Sequence, residues 1–126
     1  MYRYSSNITF IYYNSLEYGS FFMENVLDLE LIMDQGFAKV YRVNETAFVG
    51  IVQLTKATVY RGNTLLSLNT DDCLKEYKRV SKLECYSLTD IQRLDQIPLD
   101  SFFFKDEEGH DFEIQQFLSE KDQLMF

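Results

Sequence analysis

Ile8-Thr-Phe-Ile-Tyr-Tyr-Asn14 is a run of β-branched and aromatic residues, the composition of a buried strand. Beyond Asn14 the period of the apolar residues changes. Tyr18, Phe22 and Val26 recur at i, i+4 and i+8, with Phe21 and Leu29 widening the stripe, which predicts an amphipathic helix. Asn14 can cap that helix, and Glu17 stands three residues on, as in a capping box. Leu29 to Met33 then reads as a second strand, closed by the turn Asp34-Gln35-Gly36. Phe37 to Val43 is a third strand. Asn44-Glu45 makes a hairpin turn into a fourth, Thr46 to Leu54.

The order recurs after a polar stretch. Thr64 to Thr70 reads as a strand, and Asp71 or Asp72 caps a helix whose apolar positions include Cys73, Leu74, Tyr77 and Val80. Glu84 to Leu88 is a weaker strand. Ile97 to Phe104, opened by Pro98, suits an edge or a strand beginning. Lys105 to Gly109 is a hairpin turn, with Gly109 available for positive φ. His110 to Phe117 is the last strand, and Ser119 to Phe126 a charged tail with a hydrophobic end. The chain therefore divides into a first βαβββ module (7–54), a linker (55–63), a second module (64–118) and a tail (119–126), together one domain (1–126). A lone βαβββ unit leaves one sheet face bare. Two units side by side, helices outward, predict an α+β fold with one curved mixed sheet and a concave, aromatic interior.

Composition bounds the function. The 126 residues are 46 % hydrophobic and 25 % charged, ordinary for a soluble globular protein. Twelve basic against 20 acidic residues give a net charge of -8, which argues against binding a phosphate backbone, so no nucleic-acid partner is expected. No apolar run reaches the length of a membrane helix, and the N-terminus lacks a signal-peptide pattern, so neither membrane association nor export is expected. The 2 cysteines are too few for a disulfide scaffold and read as reduced thiols of a cytoplasmic protein. The 11 Phe and 9 Tyr, with no Trp, exceed what one small core needs. Tyrosine rings also suit a pocket wall.

Several segments resemble the vicinal oxygen chelate superfamily, which includes glyoxalase I, bleomycin resistance proteins and extradiol dioxygenases. Ile8-Thr-Phe-Ile-Tyr-Tyr-Asn-Ser-Leu-Glu-Tyr-Gly-Ser-Phe-Phe and Val26-Leu-Asp-Leu-Glu-Leu are similar to its opening strand, helix and V-L-G-L-E strand. Ser15 and Asp28 depart from the usual Asp and Gly. Asn69-Thr-Asp-Asp-Cys resembles the start of its second helix. Phe104-Lys-Asp-Glu-Glu-Gly-His-Asp-Phe-Glu-Ile resembles D-P-D-G-H-x-x-E-I, with Glu107 in place of Pro. The likeness spans residues 7 to 118.

The resemblance implies a divalent metal held by a His or Gln on the first strand of each half and a Glu on the last strand of each half. Glu113 matches the final ligand. Ile8, Leu65 and Gly50 stand at the other three places, and the neighbours Thr9, Leu66 and Val49 are no better. One carboxylate falls short of the three protein ligands a catalytic zinc ordinarily has, so no cofactor is expected. His110 is the one histidine. It lies three residues from Glu113 on a strand, so the two face opposite ways, and its hairpin position places it in solvent.

What remains is an aromatic cup. Ile8, Phe10 and Tyr12 share one face, as do Leu65, Ser67 and Asn69, and as do Glu113, Gln115 and Phe117. The expected ligand-binding residues are Phe10, Tyr12, Tyr41, Arg42, Ser67 and Glu113. Tyr41 and Arg42 straddle two faces, and either can point inward. Arg42 is the expected partner of Glu113 or of an anionic ligand. Glu113, in an aromatic cup, is also the candidate catalytic base. Cys73 reads as a core residue, and Asp106-Glu107-Glu108 as a solvated turn.

Three functions fit. The first is a metal-free small-molecule-binding protein, as the bleomycin-resistance branch implies, with that branch's homodimer. The second is a metal-dependent enzyme of the glyoxalase or dioxygenase type. The third is a metal-independent lyase or isomerase using Glu113. Family-type metal catalysis is the reading the ligand count disfavours.

Overall fold

The computed structural model describes residues 3, 4, 6–55 and 64–126. Most of the expected linker, residues 56–63, lies outside the described residues. The chain forms two compact units, Met1–Gly62 and Asn63–Phe126, and each carries one βαβββ-like module.

The first module runs β1 (Asn7–Tyr13), α1 (Leu16–Phe21), β2 (Glu30–Asp34), β3 (Ala38–Arg42) and β4 (Ala47–Gln53). Its sheet has the order β1-β4-β3-β2, with β1 parallel to β4 and the other pairs antiparallel. The second runs β5 (Leu65–Asn69), α2 (Cys73–Val80), β6 (Gln92–Leu94), β7 (Leu99–Lys105) and β8 (Asp111–Phe117), then α3 (Glu120–Met125). Its sheet order is β5-β8-β7-β6, again with the first pair parallel. The strands expected to make one curved sheet are thus hydrogen-bonded as two four-stranded mixed sheets, one to a module.

Each helix is fixed at its start by a side chain. Ser15, not Asn14, caps α1, its Oγ accepting from the Tyr18 N–H at 3.1 Å. Asp72 caps α2, its Oδ1 accepting from the Lys75 N–H at 3.0 Å. Such caps satisfy amides that have no carbonyl partner in the first turn. After Phe21 the first helix widens into a π-helical turn, Phe22–Val26. The extra residue in that turn rotates the stripe, so Phe22, Met23, Val26 and Leu27 are buried while Phe21 is exposed. Asp28 then takes φ +57°, a left-handed backbone that suits glycine better than any side chain.

The core of each module lies between its helix and one sheet face. In the first it holds Ile11, Tyr13, Phe22, Val26, Tyr41, Val49 and Ile51. In the second it is a set of phenylalanines. Phe104 stacks between Phe102 (5.9 Å) and Phe112 (5.6 Å), and Tyr77 of α2 meets Phe102 edge-on at 5.3 Å. Each fully buried ring contributes about 1.5–3 kcal/mol. Cys73 is buried here, as expected of a core residue. Burial, aided by Asp100, Asp72 and Glu76, pushes its thiol up to about 11.

Further expectations are corrected. Glu84 to Leu88 forms no strand. It gives one bridge, Tyr86 to Lys105, and the second strand of the module is β6 instead. The tail, read only as charged with a hydrophobic end, contains α3, which Ser119 caps by accepting from the Asp122 N–H at 3.2 Å. His110 is not in solvent. Its side chain is 13 % exposed, with Nδ1 2.9 Å from Oδ2 of Asp106. Asp106 is itself buried, so the turn is only partly solvated. Its Oδ1 accepts from the Glu108 and His110 amides at 3.1 and 3.0 Å. A turn built round a buried carboxylate draws the following side chain inward, and Gly109 completes it at φ +85°.

Candidate functional site

Two glutamines set the equivalence between the modules. The Leu16 N–H, first in α1, donates to Gln53 Oε1 at 3.2 Å. The Cys73 N–H, first in α2, donates to Gln116 Oε1 at 2.9 Å. Gln53 ends β4, and Gln116 lies in β8. Counting back three residues from each pairs Gly50 with Glu113. Across the parallel pairs, Gly50 faces Phe10 and Glu113 faces Ser67. Ile8 and Leu65, two residues earlier on β1 and β5, are equivalent in turn. The four positions at which the resemblance implies metal ligands are therefore Ile8, Gly50, Leu65 and Glu113 by backbone register as well.

These residues do not fit a metal. Three of the four offer no donor atom, and a divalent cation needs several N or O donors at once. Among the described residues no group of three or more His, Cys, Asp or Glu side chains is placed to hold one.

On the second module, the sheet face away from α2 is polar. Ser67 Oγ donates to Glu113 Oε1 at 2.7 Å, and Gln115 Nε2 donates to Asn69 Oδ1 at 2.9 Å. Lys105 pairs with Asp111 one step along. Phe103 is the register partner of Glu113 on its other side. Phe112 and Ile114, on either side of Glu113 in the chain, are buried on the helix face. Strand alternation therefore places Ser67, Glu113, Asn69 and Gln115 together, as the sequence implies.

On the first module, the corresponding face is apolar. Ile8 and Phe10 stay 44 % and 47 % exposed. A Cβ on Gly50 would stand 2.4 Å from the Phe10 ring and 3.3 Å from Ile8. Phe10 thus lies over the position where the second module carries its carboxylate. Tyr12, half-buried, follows on the same side of β1. Arg42 lies 5.0 Å over the Phe48 ring and 3.7 Å from Glu30. Its acidic partner on this sheet is Glu30, and the donor to Glu113 is Ser67. Tyr41 points the other way. It is fully buried and its hydroxyl donates to Glu24 Oε2 at 2.7 Å. Burial, with Glu24 adding to it, pushes the phenol up to about 12. That removes Tyr41 from the open face and settles the orientation the sequence leaves undecided.

A further feature escaped the sequence reading because it needs α3. A cavity of about 640 Å³ is lined by Asn69, Thr70, Asp71, Phe117, Gln123 and Phe126. Gln123 Nε2 donates to the Phe117 carbonyl at 2.8 Å. The Phe126 ring stacks on Phe117 with centroids 5.0 Å apart and planes at 17°. The volume is within the range of small-molecule sites. Ser119 before an Asp122 was the available signal for the helix that builds one wall.

No family model matches the sequence, nor does any curated protein. Solved structures do match in three dimensions. TioX from Micromonospora sp. superposes with a TM-score of 0.76 at 13% identity, over 90% of this chain and 99% of that one. The fosfomycin resistance protein FosX from Mesorhizobium loti gives 0.69 at 22% identity, over 98% and 99%. A member of the glyoxalase/bleomycin resistance protein/dioxygenase superfamily from Sphaerobacter thermophilus gives 0.73 at 16% identity, over 88% and 95%. The chain has the fold of that superfamily, as the resemblance in its strands and turns implies. Fold alone leaves the chemistry open.

Proposed function

We propose that this protein binds a small organic molecule without a resident metal, on the open sheet face of its second module. Ser67 and Glu113 are the polar anchor, and Phe103 and Phe117 supply apolar wall. One observation carries the reading. Of the four positions that would hold a metal, only Glu113 has a donor atom, and it is engaged by a neutral hydroxyl rather than by a basic side chain. A carboxylate so placed accepts hydrogen bonds from a ligand's N–H or O–H groups and attracts positive charge. The apolar face of Ile8 and Phe10 is consistent with a homodimer, and the assembly is part of the proposal. No helix among the described residues is long and apolar enough to cross a membrane.

The test is a thermal-shift titration with two arms. Zn²⁺, Ni²⁺, Mn²⁺ and Fe²⁺ are each expected to leave the Tm unchanged. A panel of small aromatic compounds bearing hydrogen-bond donors is expected to raise it. A ligand at about 100 times its Kd adds about 2.7 kcal/mol, or several degrees for a domain this size. Glu113→Gln should abolish the rise. A metal-induced shift of that size, lost in Glu113→Ala, would overturn the reading and make the protein a metalloenzyme candidate.

A further inference from the structure

The cavity beside α3 is chemically one-sided. Among the described residues lining it, Asp71 is the one with a charged side chain. Among the described residues Asp71 makes no hydrogen bond or ion pair through its carboxylate. Three of the amides that an anion would seek at the start of α2 are already taken. The Asp72 N–H donates to Thr70 Oγ1 at 3.2 Å, Cys73 N–H to Gln116 and Lys75 N–H to Asp72. Gln123 spends its Nε2 on the Phe117 carbonyl, so its Oε1 is left as an acceptor. The apolar wall is the Phe117–Phe126 stack, and Phe126 keeps 70 % of its surface open.

We propose that this cavity takes a small organic cation: a protonated amine borne on a flat, apolar body. The amine sits against Asp71 and the Gln123 carbonyl oxygen. The body lies on the two phenylalanine rings, whose negative faces favour a nearby cation. An anion meets a carboxylate and the negative faces of two rings, all of which repel it. The net charge of -8 raises the local concentration of cations at the surface. The inference rests on the small-molecule reading above and adds to it a second site, beside α3, and a ligand charge. It also gives α3 a role, since Gln123 within it and Phe126 at its C-cap make one wall of the cavity.

The experiment uses the full chain and two probes of matched size, 2-phenylethylammonium and phenylacetate. Binding is followed by ¹H–¹⁵N chemical-shift titration. The amine is expected to saturate with an affinity about fivefold above that of phenylacetate, the size of one charge contact at about 4 Å screened as in water. Asp71→Asn should erase that preference. Glu45→Gln, an equal charge change on an exposed loop of the first module, should leave it intact. Phe126→Ala should weaken the amine about three- to tenfold. Equal or tighter binding of phenylacetate would overturn the inference, as would amine binding unmoved by both Asp71→Asn and Phe126→Ala, or no saturable binding of either probe. If the amine is lost in Glu113→Gln but kept in Asp71→Asn, its place is the open face. That result overturns this inference and upholds the earlier reading.

Discussion

The sheets of the two modules share a backbone plan and differ in what they present on the face away from the helix. Both have the strand order first-last-third-second within the module and one parallel pair. Both anchor the first residue of the helix to a glutamine of the last strand. Yet where the second module sets Ser67 against Glu113, the first sets Phe10 over Gly50. Backbone hydrogen bonds and helix caps are demanded by any chain that folds this way, because each buried amide needs a partner. An open face carries no such demand. It can become an apolar surface in one module and a hydrogen-bonding surface in the other at little cost to folding.

Substitutions at matched positions test that separation. The largest effect is expected at Gly50→Ala. The added methyl meets the Phe10 ring, and overpacking of this kind costs about 1–3 kcal/mol. In a Phe10→Ala background the sign should reverse, because alanine in a strand interior is better than glycine by about 0.5–1 kcal/mol. A denaturant double-mutant cycle reads both values, and simple additivity would show that Phe10 does not occupy this place.

Next is Tyr41→Phe, which gives the first module the side chain that the second carries at the equivalent place, Phe104. Losing the bond to Glu24 is expected to cost about 1 kcal/mol at neutral pH. The folded phenol titrates near 12 against 10.0 for the ordinary group. The folded state therefore holds this proton more tightly. Its contribution is complete below pH 10 and is lost as the pH rises through about 12. Tyr41→Phe should flatten the alkaline limb of the stability profile. An unchanged limb would mean that other groups dominate it. The smallest effect is expected at Ser67→Ala, below about 1 kcal/mol because the bond to Glu113 is open to water. A larger loss would mean that the polar face supports the fold after all.

The first two helices and most strands were legible in the sequence because they obey a local period. Tyr18, Phe22 and Val26 mark a helix whatever it packs on, and Leu65 to Asn69 mark a strand. The pairing of Glu113 with Ser67 was legible as a shared face, since alternation along a strand fixes which side chains travel together. What was not legible depends on contacts far apart in the chain or on one-residue shifts. The π-helical turn at Phe22–Val26 is one extra residue in a helix, below the resolution of a periodicity argument. The inward turn of Tyr41 is decided by Glu24 across the packed layer. The burial of His110 is decided by Asp106, a charge in a turn that looks fully solvated by composition. The cavity was missed because the last segment has only one apolar stretch, Leu124 to Phe126, and reads as a tail until Phe126 is seen on Phe117.

The two glutamines also act as a check on strand alignment. Gln53 Nε2 reaches the Asn14 carbonyl at 2.6 Å while its Oε1 receives the first amide of α1. Both bonds form only when β4 lies in one register against β1. A slip by one residue would turn every side chain of β4 to the opposite face and carry this amide group out of reach of the helix start. Gln116 offers a matching check for β8 and α2. Each module therefore contains a proofreading contact, in which the correct pairing of two strands is verified by the beginning of a helix.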